Sequence, residues 1–239
     1  MARGDVEQAG THGESRSELV VNGLLRILEL AEARGEPRLP KERDLAEQLG
    51  IGRTALREGL SKLESLQMIA PRQGSGLYIV PTTRRSPEAL VLAENSAPLS
   101  AKSIGEAMAV RALLEIETAK LAALNHERNH LNRMALEIER LERCGGKGVE
   151  AAEADQEFHR ALSIASGNNT LAQFVDLFLR LSWRRRLKYF ESSERGLESV
   201  ADHKAILDAI ASGVPERACA EVQQHLNQAE RFWATTKQE

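Results

Sequence analysis

Four side chains in the C-terminal half of the chain could together hold a metal ion. Asp155 and His159 are four residues apart, so both point from one face of a helix, and His203 and His225 lie on two later predicted helices. If those helices pack around the helix that carries Asp155, one carboxylate and three imidazoles converge. One oxygen and three nitrogens suit Zn²⁺, Ni²⁺, Mn²⁺ or Fe²⁺. On a six-coordinate ion they leave two positions for water or for an oxygen-donor metabolite such as a carboxylate.

The same histidines also have a simpler interpretation. A single histidine on a helix is usually a surface group or a core group with a satisfied hydrogen bond, and the chain contains six of them. The spacing by itself therefore leaves both interpretations open. His126 and His130 are also four residues apart, and we interpret them as surface groups.

A second set of chemically active side chains lies nearer the N-terminus. Arg53, Thr54 and Arg57 occupy the first turns of a predicted helix at 53–67, where the helix dipole favours phosphate. Arginine can donate two hydrogen bonds to guanine, and threonine can contact a base edge or a thymine methyl group. Arg43, on the preceding helix, can contact the DNA backbone or a groove edge.

Two short helices separated by a glycine-containing turn would position these arginines. Residues 41–49 and 53–67 have helical apolar spacing, and residues 68–80 alternate weakly around a glycine-rich tip. This is the layout of a winged helix-turn-helix, whose second helix enters the major groove. Gly74 allows the wing tip to approach DNA closely, and Arg72 adds a positive charge beside it. The alternative is an ordinary helix pair with solvated arginines.

Charge is divided unevenly along the chain. Residues 38–85 contain nine Lys or Arg against five Asp or Glu, a net charge of +4, and residues 86–239 contain 19 against 23, a net charge of −4. A basic module joined to an acidic one fits DNA contact by the first module only. Cys144 and Cys219 are far apart and lack CxxC spacing, so neither a disulfide framework nor a cysteine zinc finger is indicated.

Apolar periodicity and turn residues divide the chain into four parts. Residues 1–16 are polar and predicted to be disordered, and residues 17–80 form the winged helix-turn-helix. Residues 81–100 are a proline-containing linker with room for a short helix at 88–94, and residues 101–235 form an antiparallel all-α bundle of six or seven helices. The predicted fold class is mainly α. Because long apolar runs are missing, we expect no membrane span, no signal peptide and a cytoplasmic location.

The N-terminal module resembles the GntR family of bacterial transcription regulators over residues 17–80. The resemblance rests on the segment at 39–80, LPKERDLAEQLGIGRTALREGLSKLESLQMIAPRQGSGLYIV. It implies DNA contact by five residues, which are Arg43, Arg53, Thr54, Arg57 and Gly74. Three residues depart from the family pattern: Lys41 and Gly52 replace the usual Ser or Ser/Thr, and Gly59 replaces Ala. These departures bear on helix capping, helix stability and operator affinity.

The C-terminal part resembles the FCD ligand-binding domain of the FadR subfamily over about residues 103–232. The matching segments are RALLE at 111–115, DQEFH at 155–159, ASGN at 165–168, HKAILDAI at 203–210 and HL at 225–226. The resemblance implies a homodimer and a divalent metal that helps to bind a small organic acid. It assigns the metal to Asp155, His159, His203 and His225. The long interval between residues 80 and 111 favours the seven-helix form of the domain.

Arginines near these segments are candidates for binding the acid. The guanidinium of Arg111 could hold a carboxylate through two hydrogen bonds, and the alternative is an ion pair with Glu115, four residues on. Arg184, Arg185 and Arg186 are consecutive, so they cannot share one helix face and at most two of them can point inward. We interpret this run as a solvated face or a dimer rim.

These features predict a metabolite-responsive transcriptional regulator, a repressor that binds a palindromic double-stranded operator as a homodimer. A small organic acid at the metal site would control DNA affinity by favouring one arrangement of the protein. One alternative is a regulator for which the metal itself is the signal. Another is a metal-dependent enzyme fused to a DNA-binding module, with Glu157 as the nearest candidate general base. The preferred prediction is that the protein is not an enzyme.

Overall fold

The computed structural model describes residues 15–96 and 101–236, and within them it contains eleven α-helices and one two-stranded antiparallel sheet. The prediction of a mainly α fold is confirmed. The chain divides into two compact units, Met1–Leu90 and Val91–Glu239. Most of the segment predicted to be disordered, 1–16, lies outside the described residues. Within the part of the chain that the structure covers, every helix is too short or too polar to cross a lipid bilayer.

The first unit contains three helices, α1 (Arg16–Ala33), α2 (Glu42–Leu49) and α3 (Arg53–Ser65). Ser15 and Glu18 form a capping box at the start of α1, in which each side chain accepts a hydrogen bond from the other residue's backbone N–H. Helices α1 and α3 pack together through buried leucine and valine side chains. A Cβ atom at position 59 would lie 2.8 Å from Val20 and Leu24. Gly59 therefore lets these two helices approach closely, which gives its departure from the family pattern a structural reason.

A short hairpin follows α3 and forms the predicted wing. Strand β1 (Ile69–Arg72) pairs antiparallel with strand β2 (Gly76–Ile79), with Arg72 opposite Gly76. Gly74 and Gly76 have φ angles of +69° and +103°, which strain residues that carry a Cβ atom. The glycines at the tip are therefore required by the turn, and the winged helix-turn-helix is confirmed.

The region between the wing and the long helices of the bundle contains a helix. A 3₁₀ turn at Thr82–Arg84 precedes α4 (Pro87–Ser96), and residues 97–100 lie outside the described residues. Because the two compact units meet in sequence between Leu90 and Val91, α4 begins in the first unit and ends in the second.

The second unit is a bundle of seven further helices among the described residues. They are α5 (Ala101–Asn125), α6 (Arg128–Arg143), α7 (Gly148–Ala165), α8 (Asn169–Leu181), α9 (Trp183–Tyr189), α10 (Ser193–Ala211) and α11 (Pro215–Thr235). Helix α7 packs against α5, α6, α8 and α9, and α10 and α11 pack against α5 and against each other. The side chains of Phe158 and Leu162 on α7 are fully buried in this core. The interior of the bundle is therefore formed around α7.

The helical spacing of residues 170–191 predicts one continuous helix, and this prediction is wrong because the structure has two helices there. The chain leaves helical geometry at Ser182, with φ −85° and ψ 2°, and this residue separates α8 from α9. The sequence does not reveal this break, because the apolar residues on each side of Ser182 have helical spacing and each short helix buries its own apolar face. Helix α9 carries the run of arginines, so the break matters for where these side chains point.

Candidate functional site

Helix α3 exposes the predicted DNA-contacting side chains at its N-terminal end. Arg53, Thr54 and Arg57 are all exposed to solvent, whereas Leu56 on the same turns is buried. The residue that caps α3 is Gly52, so no side chain caps the first backbone N–H groups of this helix. Exposed arginines beside uncapped N–H groups form a surface that suits phosphate and base edges.

A carboxylate that the sequence analysis did not single out orients one of these arginines. Arg57 Nε donates a hydrogen bond to Glu42 Oε2 over 3.1 Å, and both side chains remain exposed. Such an exposed pair contributes orientation more than stability. Arg43 is exposed on α2, where its Nε donates to Asp44 Oδ1 over 3.3 Å. Lys41 caps α2 without a side-chain hydrogen bond, as its departure from the family pattern suggests.

Tyr78 organises the wing beside these helices. The Arg72 guanidinium lies 4.0 Å from the centroid of the Tyr78 ring, and Ser75 Oγ lies 2.7 Å from the Tyr78 hydroxyl. The guanidinium of Arg38 would lie 3.2 Å from a Cβ atom at Gly76. The guanidinium groups of Arg72 and Arg38 therefore both lie at the wing. Arg38 precedes the segment that carries the family resemblance, which is why it was missed.

The four predicted metal ligands come together inside the second unit. Asp155 and His159 are on α7, His203 is on α10 and His225 is on α11. All four are buried, and one ligand atom from each lies within 4.8 Å of the other three. Asp155 Oδ1 is 3.4 Å from His203 Nε2 and 3.7 Å from His159 Nε2. Because atoms that bind one ion at about 2.0–2.2 Å stand about 3–4 Å apart, these separations fit a single ion.

Two further carboxylates orient two of the imidazole rings. His225 Nδ1 lies 3.0 Å from Asp202 Oδ2, and His159 Nδ1 lies 3.2 Å from Glu115 Oε2. Because a carboxylate accepts hydrogen bonds, His225 Nδ1 is the donor to Asp202 and the lone pair of this ring lies on Nε2. His159 Nδ1 lies close to Glu115 Oε2 without a hydrogen bond between them. Both Nε2 atoms face the cluster, which is the usual arrangement of histidines that bind a metal.

His203 is held differently from the other two histidines. Its ring stacks on Phe158 with centroids 3.9 Å apart and is completely buried. Among the described residues, neither of its ring nitrogens makes a hydrogen bond. A buried polar atom without a partner costs about 1–3 kcal/mol, and an ion bound at Nε2 would remove that cost for one of the two nitrogens. This unpaired imidazole is the feature that fits a metal best.

The protonation states of the cluster suit a cation. Burial would raise the pKa of Asp155, but the nearby positive charges, that of His159 first and then that of Arg186, together outweigh it and hold the pKa well below its usual value. Burial lowers the pKa of His203 and of His225. Burial would also lower the pKa of His159, but Glu115 and Asp155 outweigh it and raise the pKa. Asp155 is therefore charged, two imidazoles are neutral, and an entering ion would displace a proton from the third.

Three arginines line a cavity of about 40 Å³ beside this cluster, namely Arg111 on α5 and Arg185 and Arg186 on α9. A single water needs about 10–15 Å³ on this scale, so the cavity has room for a few non-hydrogen atoms. Arg185 and Arg186 are only 4% and 6% exposed, so interpreting this run as a solvated face or a dimer rim is wrong for these two. Of the consecutive arginines Arg184, Arg185 and Arg186, two are buried, which agrees with the expectation that at most two can point inward. The break at Ser182 separates α9 from α8, and on α9 both side chains are buried.

Each guanidinium in the cavity wall already has a carboxylate partner: Arg111 pairs with Glu115, Arg186 with Asp155 and Arg185 with Glu94. Arg111 Nε donates to Glu115 Oε1 over 2.8 Å, and Arg111 Nη2 lies 3.1 Å from His159 Nε2. Arg111 therefore forms the ion pair with Glu115 and faces the histidine cluster at the same time.

The remaining side chains considered from the sequence lie outside the cluster. His126 Nδ1 is 3.0 Å from the Ala122 carbonyl oxygen, and His130 Nδ1 accepts a hydrogen bond from the backbone of Glu127. Glu157, the candidate general base, is ion-paired with Arg160.

Comparison with known proteins matches both units. Residues 17–79 match the family of bacterial regulatory proteins called the gntR family, and residues 106–228 match the FCD domain. The chain is 32% identical to the Uxu operon transcriptional regulator of Escherichia coli (strain K12), over 79% of this chain and 75% of that protein. It is 27% identical to the HTH-type transcriptional regulator LutR of Bacillus subtilis (strain 168), over 85% of this chain and 94% of that protein.

Solved structures share the fold at low sequence identity. One is Lar, a protein described as controlling expression of the Listeria monocytogenes agr system. The structural match spans 95% of this chain and 100% of that chain, with a TM-score of 0.68 and 16% sequence identity. Another is Escherichia coli McbR/YncC, for which the match spans 93% of this chain and 98% of that chain, with a TM-score of 0.54 and 17% sequence identity.

Proposed function

The chain belongs to the GntR family of bacterial regulatory proteins and carries an FCD domain, and we propose that a small organic acid, bound at a metal site in that domain, controls its affinity for DNA. Its relatives are transcription regulators, so the protein is a transcriptional regulator and not an enzyme. The observation that carries the proposal is the buried cluster of one carboxylate and three imidazoles, which borders a cavity lined by arginines.

In this proposal, Asp155, His159, His203 and His225 hold Zn²⁺, Ni²⁺, Mn²⁺ or Fe²⁺. The bound ion supplies positive charge and open coordination positions for an oxygen donor. The unpaired nitrogens of the buried His203 ring support such an ion, because folding removes them from water without giving them a protein partner.

Arg111 is the side chain best placed to orient the acid. Its guanidinium lies in the cavity wall, and its Nη2 atom is 3.1 Å from His159 Nε2 and 3.5 Å from His225 Nε2. Arginine stays charged when buried and presents a planar pair of donors that matches a carboxylate. A carboxylate bound here would meet both the guanidinium and the cluster, which favours acids over neutral metabolites.

We further propose that the protein acts as a homodimer. Val110, Leu113 and Leu124 form an apolar stripe along one side of α5, and Leu113 is 76% exposed. Phe174 is also exposed on α8, which packs against α5. Exposed apolar surface of this kind marks an interaction site, and a second copy of the chain would cover it on both partners at once. Two reading helices then meet a palindromic operator, and release of that operator by the acid would make the protein a repressor.

The test of this function is a thermal-shift screen of metal-loaded protein against sugar acids, hydroxy acids, dicarboxylates and amino acids. An acid present at 100 times its Kd should stabilise the folded protein by about 2.7 kcal/mol and raise its Tm. The same acid should weaken binding, in gel shifts, to an operator selected from random-sequence DNA. DNA release by the metal alone, reversed by a chelator, would favour the metal-sensing alternative. The proposal is wrong if protein shown by mass spectrometry to hold one ion responds to none of these acids.

Replacing Asp202 with Asn should weaken metal binding by about tenfold, since carboxylates behind metal-binding histidines contribute 10–100-fold to affinity. The amide keeps the size of the side chain but removes the charge that faces His225 Nδ1. Isothermal titration with Zn²⁺ measures the change. Asp208→Asn is the matched control, because Asp208 lies on the same helix and is exposed. Equal affinities for the two variants would show that Asp202 does not orient a metal ligand.

A further inference from the structure

Glu94 differs from the other two carboxylates that pair with the cavity arginines. Its side chain is 17% exposed, whereas those of Glu115 and Asp155 are 3% and 7% exposed. Asp155 is a proposed metal ligand and Glu115 contacts His159, so neither can leave its arginine without disturbing the cluster. Glu94 lies on α4, outside the cluster. It is therefore the carboxylate that can move into solvent while the cluster stays intact.

The partner of Glu94 is a buried guanidinium that a neighbouring negative charge stabilises. The Arg185 side chain is 5% exposed and lines the cavity, where its Nη2 also donates to Ser182 Oγ over 3.3 Å. Burial lowers the pKa of Arg185, the charge of Glu94 opposes this, and the nearby charges of Arg111 and Arg186 lower the pKa further. A buried guanidinium among others of like charge is stabilised by an adjacent anion, and Glu94 provides that anion.

We propose that Glu94 occupies, at Arg185, the position that a second acidic group of the effector takes, so that an acid with two carboxylates displaces Glu94. This inference rests on the function proposed above, because it requires the first carboxylate to bind at Arg111 beside the cluster. The exchange replaces one carboxylate on Arg185 with another, so the guanidinium keeps a counter-ion throughout. An acid with a single carboxylate leaves the Glu94–Arg185 ion pair in place.

Displacement of Glu94 has a consequence for α4. The end of this helix is attached to the bundle through several contacts: Arg185 pairs with the Glu94 side chain, Arg184 Nη1 donates to the Glu94 carbonyl oxygen over 3.5 Å, and Asn95 Nδ2 donates to the Arg180 carbonyl oxygen over 3.4 Å. Of these contacts, the ion pair is the one that involves a residue of the cavity wall, Arg185. Because α4 begins in the DNA-binding unit, loss of the ion pair loosens the chain where it leaves that unit.

The experiment compares wild-type protein with Glu94→Gln, which keeps the shape of the side chain and removes its charge. The probes are L-malate and L-lactate, two 2-hydroxy acids that differ by one carboxylate, titrated calorimetrically into Zn²⁺-loaded protein. Glu94→Gln should bind L-malate about tenfold more tightly than wild type does, since the internal competitor is gone, and its affinity for L-lactate should change less than about twofold. Arg185→Gln should bind the two acids equally well. Glu88→Gln is the control, because Glu88 is exposed on the same helix.

Gel shifts supply the second measurement. Without any acid, Glu94→Gln should bind the selected operator more weakly than wild type and Glu88→Gln do, because the contact that the acid would break is already absent.

Two results would overturn the inference while leaving the proposed function intact. One is an equal affinity of wild type and Glu94→Gln for L-malate, with unchanged operator binding. The other is full release of the operator from both proteins by a monocarboxylic acid. No response to any acid by metal-loaded wild type would overturn the proposed function as well.

Discussion

His203→Ala is expected to lower the affinity for Zn²⁺ by more than about 100-fold, beyond the effect of carboxylates that only support metal-binding histidines. His203 supplies one of the four converging ligand atoms, and both of its nitrogens are unpaired in the described part of the chain. The remaining Asp155, His159 and His225 would hold an ion weakly. Metal content after dialysis and calorimetric titration with Zn²⁺ measure the loss directly.

The same variant should abolish the thermal shift produced by an acid, because the acid would lose its principal partner. His203→Phe tests whether a collapsed cavity is responsible, since phenylalanine keeps the stacking on Phe158 and offers no nitrogen. Both variants should behave alike, and His130→Ala, which changes a histidine on α6, should behave like wild type. Wild-type metal content in a folded His203→Phe protein would remove His203 from the ligand set, and an unchanged response to acid would remove the metal from the mechanism.

The elements that the sequence predicts well depend on local chemistry. In the DNA-binding unit the signals lie close together in the chain: Gly50 ends α2, the apolar spacing of α3 marks its buried face, and Gly74 marks the wing. Asp155 and His159 likewise share a helix face because they are four residues apart. His203 and His225 could be joined to them only through the family resemblance, since nothing in their local spacing places α10 and α11 beside α7.

The parts that were missed depend on packing between distant segments. Glu94 and Arg185 are 91 residues apart, and neither lies in a segment that carries the resemblance. A run of consecutive arginines is usually solvated, because burying a guanidinium requires a carboxylate partner. Here Asp155 and Glu94 supply the partners for Arg186 and Arg185. The burial of the run therefore could not be predicted before the positions of α4, α7 and α9 were known.

The positions of the charged groups show why the net charge of −3 does not describe either of the two proposed sites. On the DNA-binding unit, the candidate arginines Arg43, Arg53 and Arg57 are exposed, and their charge remains available to a polyanion. In the bundle, Arg185 and Arg186 are buried and the Arg111 side chain is 13% exposed, and each of the three guanidinium groups pairs with a carboxylate. The net charge of the chain therefore says little about either site.

Arg53→Ala should eliminate specific operator binding while leaving the fold unchanged. Arg53 is the first residue of α3 and is fully available to the major groove, where an arginine that contacts guanine is worth about 1–3 kcal/mol. A dimer loses this contact in both half-sites, so the total loss is about 2–6 kcal/mol, or roughly 30-fold to more than 10⁴-fold in Kd. Gel shifts on an operator selected from random-sequence DNA measure it.

Two matched variants separate base recognition from simple charge. Lys62→Ala removes the same charge from the other end of α3, where Lys62 is exposed, and should weaken binding to all DNA sequences only slightly. Arg53→Lys keeps the charge but loses the planar pair of donors, so it should retain non-specific binding and lose the preference for the selected operator. Full operator affinity in Arg53→Lys would show that Arg53 contacts phosphate rather than a base. Full affinity in Arg53→Ala, at the wild-type mass in solution, would mean that α3 is not the reading helix.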